Sequence, residues 1–247
     1  MSTPEEIFWD EFAVEYAEIQ AESQVSIAED LVAYLLENKL LPIETIVDFA
    51  AGSGKYIPAF YPFVDHYLAI DFSREMLKII LAQTPDRQGK IILSHKDQQA
   101  FLADPEVYPC IFMAMNPALL DWPSLLRFYQ KTACLLILRV VDESEDLFQP
   151  WEKREEAVQD LHLIQTYKRW LDQAHIAWKS HQFEYSYIEE IDQETFRAYF
   201  CDDYPASELA DICKKTFGQK MTAKSTTRIV LELLIIPNNG SSDYSRT

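Results

Sequence analysis

The sequence predicts a doubly wound α/β domain, and three observations carry that reading. From residue 45 to residue 178, apolar stretches of strand length alternate with stretches of helical period. A β-branched run, Thr45-Ile-Val-Asp-Phe49, opens into a glycine-bearing turn, Ala50-Ala-Gly-Ser-Gly-Lys55. A second apolar run, Tyr67-Leu-Ala-Ile-Asp71, ends on an acid 23 residues after Asp48. A strand, a tight turn, a helix and an acid-tipped strand form the layout by which α/β folds hold an adenosine ribose.

Each element has its local reason. Thr3 suits a helix cap, Pro4 the first helical position, and Glu6 completes a capping box, so the first helix begins there. Ala28, Leu31, Val32, Leu35 and Leu36 form the apolar stripe of a second helix, which stops near Asn38-Lys39, ahead of Pro42. Strands follow near 45–49, 66–71, 90–94, 110–114 and 134–141, with helices near 54–61, 73–83, 121–131 and 151–178 between and after them. Such alternation implies parallel crossovers. Farther on, residues 181–188 alternate polar with apolar, helical segments fill 192–216, and 227–236 form a long strand. Residues 238–247 are polar and are expected as a disordered tail.

Gly52 and Gly54 carry no Cβ, so the turn can bend sharply and a ligand can approach the backbone. A P-loop is excluded, because Phe49 stands where its first glycine belongs and Tyr56 follows Lys55. A dinucleotide fingerprint starting at Gly52 would want Gly or Ala at position 57, which is Ile57, and it does not ask for Asp48. That reading, an NAD(P)-dependent oxidoreductase, stays open in weakened form.

Asp48-Phe-Ala-Ala-Gly-Ser-Gly54 resembles the first motif of class I S-adenosylmethionine-dependent methyltransferases, acid-x-Gly-x-Gly-x-Gly, with Ala50 in place of the first glycine. Ala69-Ile-Asp-Phe-Ser-Arg-Glu-Met-Leu77 resembles the second. Weaker likenesses are Lys96-Asp97, Ile111-Phe-Met-Ala-Met-Asn-Pro117 and Phe8-Trp-Asp-Glu-Phe-Ala-Val-Glu-Tyr16. The likeness covers roughly the first 140 residues at motif level. It implies a Rossmann-like seven-stranded sheet of order 3-2-1-4-5-7-6, mostly parallel with the last strand antiparallel and helices on both faces. It implies one domain over 1–237, with a helical cap at 1–40 and a helical insertion at 190–225 that shapes the substrate pocket. S-adenosylmethionine is the implied cofactor. Asp48 would steady the turn and the methionine end; Asp71 would accept both ribose hydroxyls; Phe72 would lie on the adenine and Asp97 would bind its amino group. Ala50, Gly52, Gly54, Met115 and Tyr16 complete the implied cofactor set, and Asn116 and Trp9 are implied substrate contacts. The chain departs from the pattern at the fourth strand, where Tyr108-Pro109-Cys110 stands in place of an acid. That departure and Ala50 keep open a non-catalytic S-adenosylmethionine-binding or regulatory protein of the same fold.

Several of these residues also have plain structural roles. Asp71 suits capping of the Ser73-Arg-Glu-Met turn. Phe8, Trp9, Phe12 and Tyr16 sit at helical spacing and suit an apolar stripe. Asp97 lies in a polar loop where an acid is readily solvated.

Composition narrows the function classes. A chain of 247 residues with 48% hydrophobic content suffices for one sizeable core. A formal charge of −18 repels polyphosphate backbones, so a small-molecule acceptor is favoured over nucleic acid. No apolar run approaches the ~20 residues of a membrane helix; a cytoplasmic monomer or homodimer without membrane partners is expected. Cys110, Cys134, Cys201 and Cys213 form no Cys-x-x-Cys pair, and reduced, mostly buried thiols are expected. Histidines 66, 95, 162, 175 and 181 lack ligand spacing, so no metal is expected.

Overall fold

The computed structural model of the chain describes residues 3–84, 89–152 and 161–238; residues 239–247 of the expected tail lie outside them. Helix α1 (Pro4–Glu22) starts where the capping signal puts it, with Thr3 Oγ1 accepting from Glu6 N at 3.1 Å. Glu6 Oε1, expected to return to the cap, lies 3.2 Å from His95 Nε2. Helix α2 (Ile27–Glu37) buries Ile27, Ala28, Leu31, Val32 and Leu35, the stripe read from the sequence.

Strands β1 (Ile43–Phe49), β2 (Val64–Asp71), β3 (Ile91–His95), β4 (Tyr108–Ala114), β5 (Thr132–Glu145), β6 (Lys179–Asp192) and β7 (Thr222–Pro237) form one sheet of order β3-β2-β1-β4-β5-β7-β6. The pairs β1–β2, β1–β4, β2–β3 and β4–β5 are parallel, and β7 is antiparallel. The order reverses at β1, so the neighbouring strands β2 and β4 leave it with their crossovers on opposite faces, and a crevice opens at the carboxyl ends.

The crossover helices are α3 (Ile57–Phe60), α4 (Arg74–Gln83), α5 (Gln98–Ala103) and α6 (Trp122–Gln130), with α7 (Leu163–Gln173) following β5. Aromatic packing seals both faces of the central strands. Phe49 meets Phe101 of α5 and Phe128 of α6, each at 4.9 Å between ring centroids. Phe112 meets Tyr56 at 4.9 Å and Phe60 of α3 at 5.3 Å. Each such ring removes apolar area worth about 1.5–3 kcal/mol.

Three local differences from the sequence reading have simple causes. The helix expected over 54–61 starts only at Ile57, because Gly54 is still in the turn at φ +86°, and it tightens to a 3₁₀ turn at Tyr61–Phe63 beside Pro62. Helix α5 was hidden in a polar loop; Asp97 nucleates it by accepting from Ala100 N at 2.7 Å. Within the stretch expected as a helix over 151–178, the described helix runs over Leu163–Gln173, after a 3₁₀ turn at Gln149–Trp151.

The chain divides into two compact units. The first holds the described residues to Arg139, Ile164–His181 and those from Glu232; the second holds Val140–Leu163 and Gln182–Leu231. The second contains helices α8 (Gln193–Phe200) and α9 (Ala206–Phe217) and has its own core of Phe148, Phe196, Phe200, Leu209, Ile212, Cys213 and Phe217. Among the described residues no helix is long and apolar enough to cross a membrane.

Candidate functional site

The turn after β1 is built from left-handed backbone. Ala50, Gly52 and Gly54 have φ of +61°, +54° and +86°. A Cβ on Gly54 would lie 2.9 Å from both Ile57 Cδ1 and Ile80 Cγ1, and one on Gly52 would lie 3.3 Å from Tyr16 Cε1. The turn therefore needs Gly54 for packing and Gly52 for the approach of Tyr16. Ala50 holds the same conformation with a methyl group, at a cost of about 1–2 kcal/mol.

Asp71, at the tip of β2, clamps this turn. Its Oδ2 accepts from Gly52 N and its Oδ1 from Ser73 N, both at 2.8 Å. An ionised carboxyl offers about four acceptor positions, so the surrounding amides leave room for a further donor. Burial raises the pKa of Asp71 above the usual carboxylate range, while the amides of Ser73, Gly52 and Phe72 and the charge of His95 pull it back. Ser73 then caps α4 by accepting from Met76 N at 3.2 Å.

Asp48 lies beneath the turn and is 1% exposed. Tyr67 donates its hydroxyl to Asp48 Oδ2 at 2.6 Å. Burial pushes the Asp48 carboxyl up to about 7; the Tyr67 hydroxyl opposes the rise and the nearby Asp71 charge adds to it. Burial, with the charges of Asp71 and Asp48, also raises the Tyr16 phenol.

One cleft gathers most of these groups. Trp9, Tyr16, Ala50, Gly52, Asp71, Phe72, Met76, Ala114, Met115 and Pro117 line it. Helix α1 forms one wall. Asp10 Oδ1 accepts from Ser73 Oγ at 2.6 Å and from Glu75 N at 3.2 Å, and Glu6 Oε1 lies 3.8 Å from Arg74 Nε and 3.2 Å from His95 Nε2. His95 Nε2 also sits 2.8 Å from the Phe72 carbonyl. Both neighbours of that nitrogen are acceptors, so it carries the proton.

The opposite wall is the turn after β4. Met115 has φ +53° and donates its N–H to the Leu138 carbonyl at 2.9 Å. Two of the four described non-glycine residues with positive φ, Ala50 and Met115, thus line the cleft. Strain held at a crevice on the carboxyl edge of the sheet points to function.

Of the residues singled out by sequence, Trp9, Tyr16, Ala50, Gly52, Asp71, Phe72 and Met115 converge on the cleft, with Asp48 and Gly54 supporting it. Asp97 and Asn116 are placed otherwise. Asp97 is exposed and caps α5. Asn116 is 3% exposed, and its side chain is committed to its own loop: Nδ2 donates to Gln98 Oε1 at 3.3 Å and Oδ1 accepts from Ala118 N at 3.0 Å. Its carbonyl accepts from Arg139 Nη1 at 2.9 Å, and the Leu119 carbonyl accepts from Tyr167 Oη at 2.6 Å, so β5 and α7 both brace the loop. Sequence reading did not single out Asp10, Arg139, Gln98 or Pro117. Nothing local marks the first three, because each acts across more than 15 residues of chain. Pro117, right after Asn116, was within reach of a turn argument.

The donor set suits an adenosyl ligand. A carboxylate with room for a further donor suits a ribose hydroxyl, a side-chain-free backbone step at Gly52 allows close approach, Phe72, Trp9, Met76 and Met115 offer apolar walls, and Asp48 is an acid with no counter-charge among its perturbers beneath the turn.

No protein-family model and no curated protein matches the sequence. Solved structures do match it. The precorrin 8W decarboxylase of Methanobacterium thermoautotrophicum superposes with a TM-score of 0.52 at 11% identity, over 87% of this chain and 92% of that one. A candidate S-adenosyl-L-methionine-dependent methyltransferase of Methanococcus maripaludis gives 0.54 at 15% identity, over 73% and 91%. At these identities the likeness is one of fold, and the fold is the Rossmann-like one of class I methyltransferases.

Proposed function

We propose that this protein is an S-adenosylmethionine-dependent methyltransferase acting on a small-molecule acceptor. The observation that supports this most is the convergence of Gly52, Asp71, Phe72, Tyr16 and Met115 on one cleft at the carboxyl ends of β1, β2 and β4. In this reading Asp71 receives the ribose hydroxyls, Gly52 presents its backbone, and Phe72, Met76 and Met115 enclose the adenine. Asp48 ionises opposite the methionyl ammonium. When bound, S-adenosylmethionine would supply an electrophilic methyl group on a sulfonium.

The chain contributes alignment and exclusion of water. The titratable side chains lining the cleft are Asp71 and Tyr16, and the pKa of each is raised. Asp71 is taken up by the turn amides and, in this reading, by the ribose, and the raised Tyr16 phenol keeps its proton near neutrality, so holding the two reactants in line and stripping their hydration would carry the rate. A small acceptor is favoured because a net charge of −18 opposes a polyanion.

Calorimetric titration with S-adenosylhomocysteine tests the reading, run in parallel on Asp71→Ala and with NAD in place of the first ligand. Micromolar binding, about −8 kcal/mol, that is lost in the variant supports the cofactor site and leads to an acceptor screen. Absence of binding by the wild type, or binding of NAD in its place, overturns it.

A further inference from the structure

We propose that Cys110 and Cys134 form a two-thiol redox site, closed by a peroxide into a disulfide that ties β4 to β5 and reopened by a dithiol. The two residues are direct Cα partners in the parallel β4–β5 ladder. Neighbouring strands run about 4.8 Å apart, which is inside the Cα separation of about 4.4–6.8 Å that a disulfide spans. Residues in register on parallel strands project to the same face, so the two thiols are neighbours on it.

The pair is asymmetric in a way that assigns roles. Cys110 is buried and Cys134 only partly so, which gives Cys134 the access that a peroxide needs. Proximity of the partner thiol, with burial, pushes the Cys110 thiol well up, and the same proximity holds the Cys134 thiol below its ordinary range. Its access therefore makes Cys134 the thiol that meets the peroxide and Cys110 the thiol that resolves.

The chemistry balances in two steps. The Cys134 sulfur attacks one peroxide oxygen and the O–O bond breaks. Water or an alcohol leaves, and Cys134 becomes a sulfenic acid. The Cys110 sulfur then attacks the Cys134 sulfur, the S–S bond forms and the S–O bond breaks. The hydroxyl departs as water with the Cys110 proton. Two electrons pass from the thiol pair to the peroxide.

The site is separate from the cleft. Cys110 precedes Ala114 by four residues, about 13 Å along the strand at 3.3 Å each. Oxidation there staples two central strands without filling the crevice. Cys201 and Cys213 belong to the second unit and are not part of the pair.

Trypsin separates the two thiols, since one lies in residues 97–127 and the other in residues 132–139. The experiment treats Cys201→Ser protein, which lacks the exposed thiol, with hydrogen peroxide and then blocks free thiols before digestion. The expected product is a peptide pair joined through Cys110 and Cys134, lighter by two hydrogens than the sum of its parts and separated by dithiothreitol. With Cys110→Ser added, Cys134 is expected to accumulate as a sulfenic acid that dimedone traps. Conversion of Cys134 to a sulfinic acid while Cys110 remains a thiol would overturn the proposal, as would two unmodified thiols after excess peroxide.

Discussion

The buried carboxyl of Asp48 makes stability a function of pH, with a sign opposite to that of an ordinary acid. At 1% exposure, with one hydroxyl donor and no counter-charge among its perturbers, its pKa rises from 3.8 to about 7. At 1.36 kcal/mol per pH unit that rise corresponds to about 4 kcal/mol, an upper figure for a lone group. Between pH 4 and pH 7 the native state holds a proton that the unfolded chain has released. Stability from this group is therefore full below pH 4, falls as pH rises through the window, and is flat above 7. Asp48→Asn keeps the shape and an oxygen to accept from Tyr67, and it carries no charge at any pH. Urea midpoints at steps from pH 4.5 to pH 8 should show the variant level with the wild type at the acid end. At pH 8 it should be about 2–4 kcal/mol more stable. A difference that stays flat over that range, or one in which the wild type gains on the variant as pH rises, would refute the account of Asp48 as an uncompensated buried acid. Such an acid weakens the empty fold, and that is the pattern expected of a group kept for a ligand.

The remaining perturbations follow from the turn and the α1 wall. Gly54→Ala forces a Cβ to 2.9 Å from Ile57 and Ile80 at φ +86°, so chemical denaturation should show a loss of about 2–4 kcal/mol; a neutral result means the turn relaxes freely. Ala50→Gly removes the left-handed strain at φ +61° and should change stability by between zero and about +1 kcal/mol, the strain relief being partly offset by the freer unfolded chain. A loss beyond 1 kcal/mol would show that the Ala50 methyl packs better than its conformation suggests. Asp10→Ala with Glu6→Ala removes the polar anchors of α1 on α4, so amide exchange across residues 4–22 should quicken while the global midpoint moves by less than about 1 kcal/mol. Unchanged exchange there would place the anchoring in the aromatic contacts of Trp9 and Tyr16.

What the sequence made legible and what it hid divide along chain distance. Thr45–Phe49 declared a strand through β-branching and Gly52–Gly54 a turn through missing side chains, both local properties. Asp71 was found because a strand–turn–helix–strand unit has a nearly fixed length, so spacing stood in for geometry. Asp97 follows β3, and its work there is to start α5, which the single apolar anchor Phe101 is too weak a signal to announce. Asn116 read as a polar residue free at a strand end; its burial depends on Gln98 and Arg139, which are 18 and 23 residues away. Likewise Asp10 meets Ser73 across 63 residues. Cys110 and Cys134 become neighbours because β4 and β5 pair in this register, and no property of either cysteine encodes that. Local chemistry therefore located the crevice and its acids, while the braces that hold its walls came from the topology. Substitutions at the braces Asp10, Gln98 and Arg139 should accordingly alter how well the cleft is held before they alter what it binds.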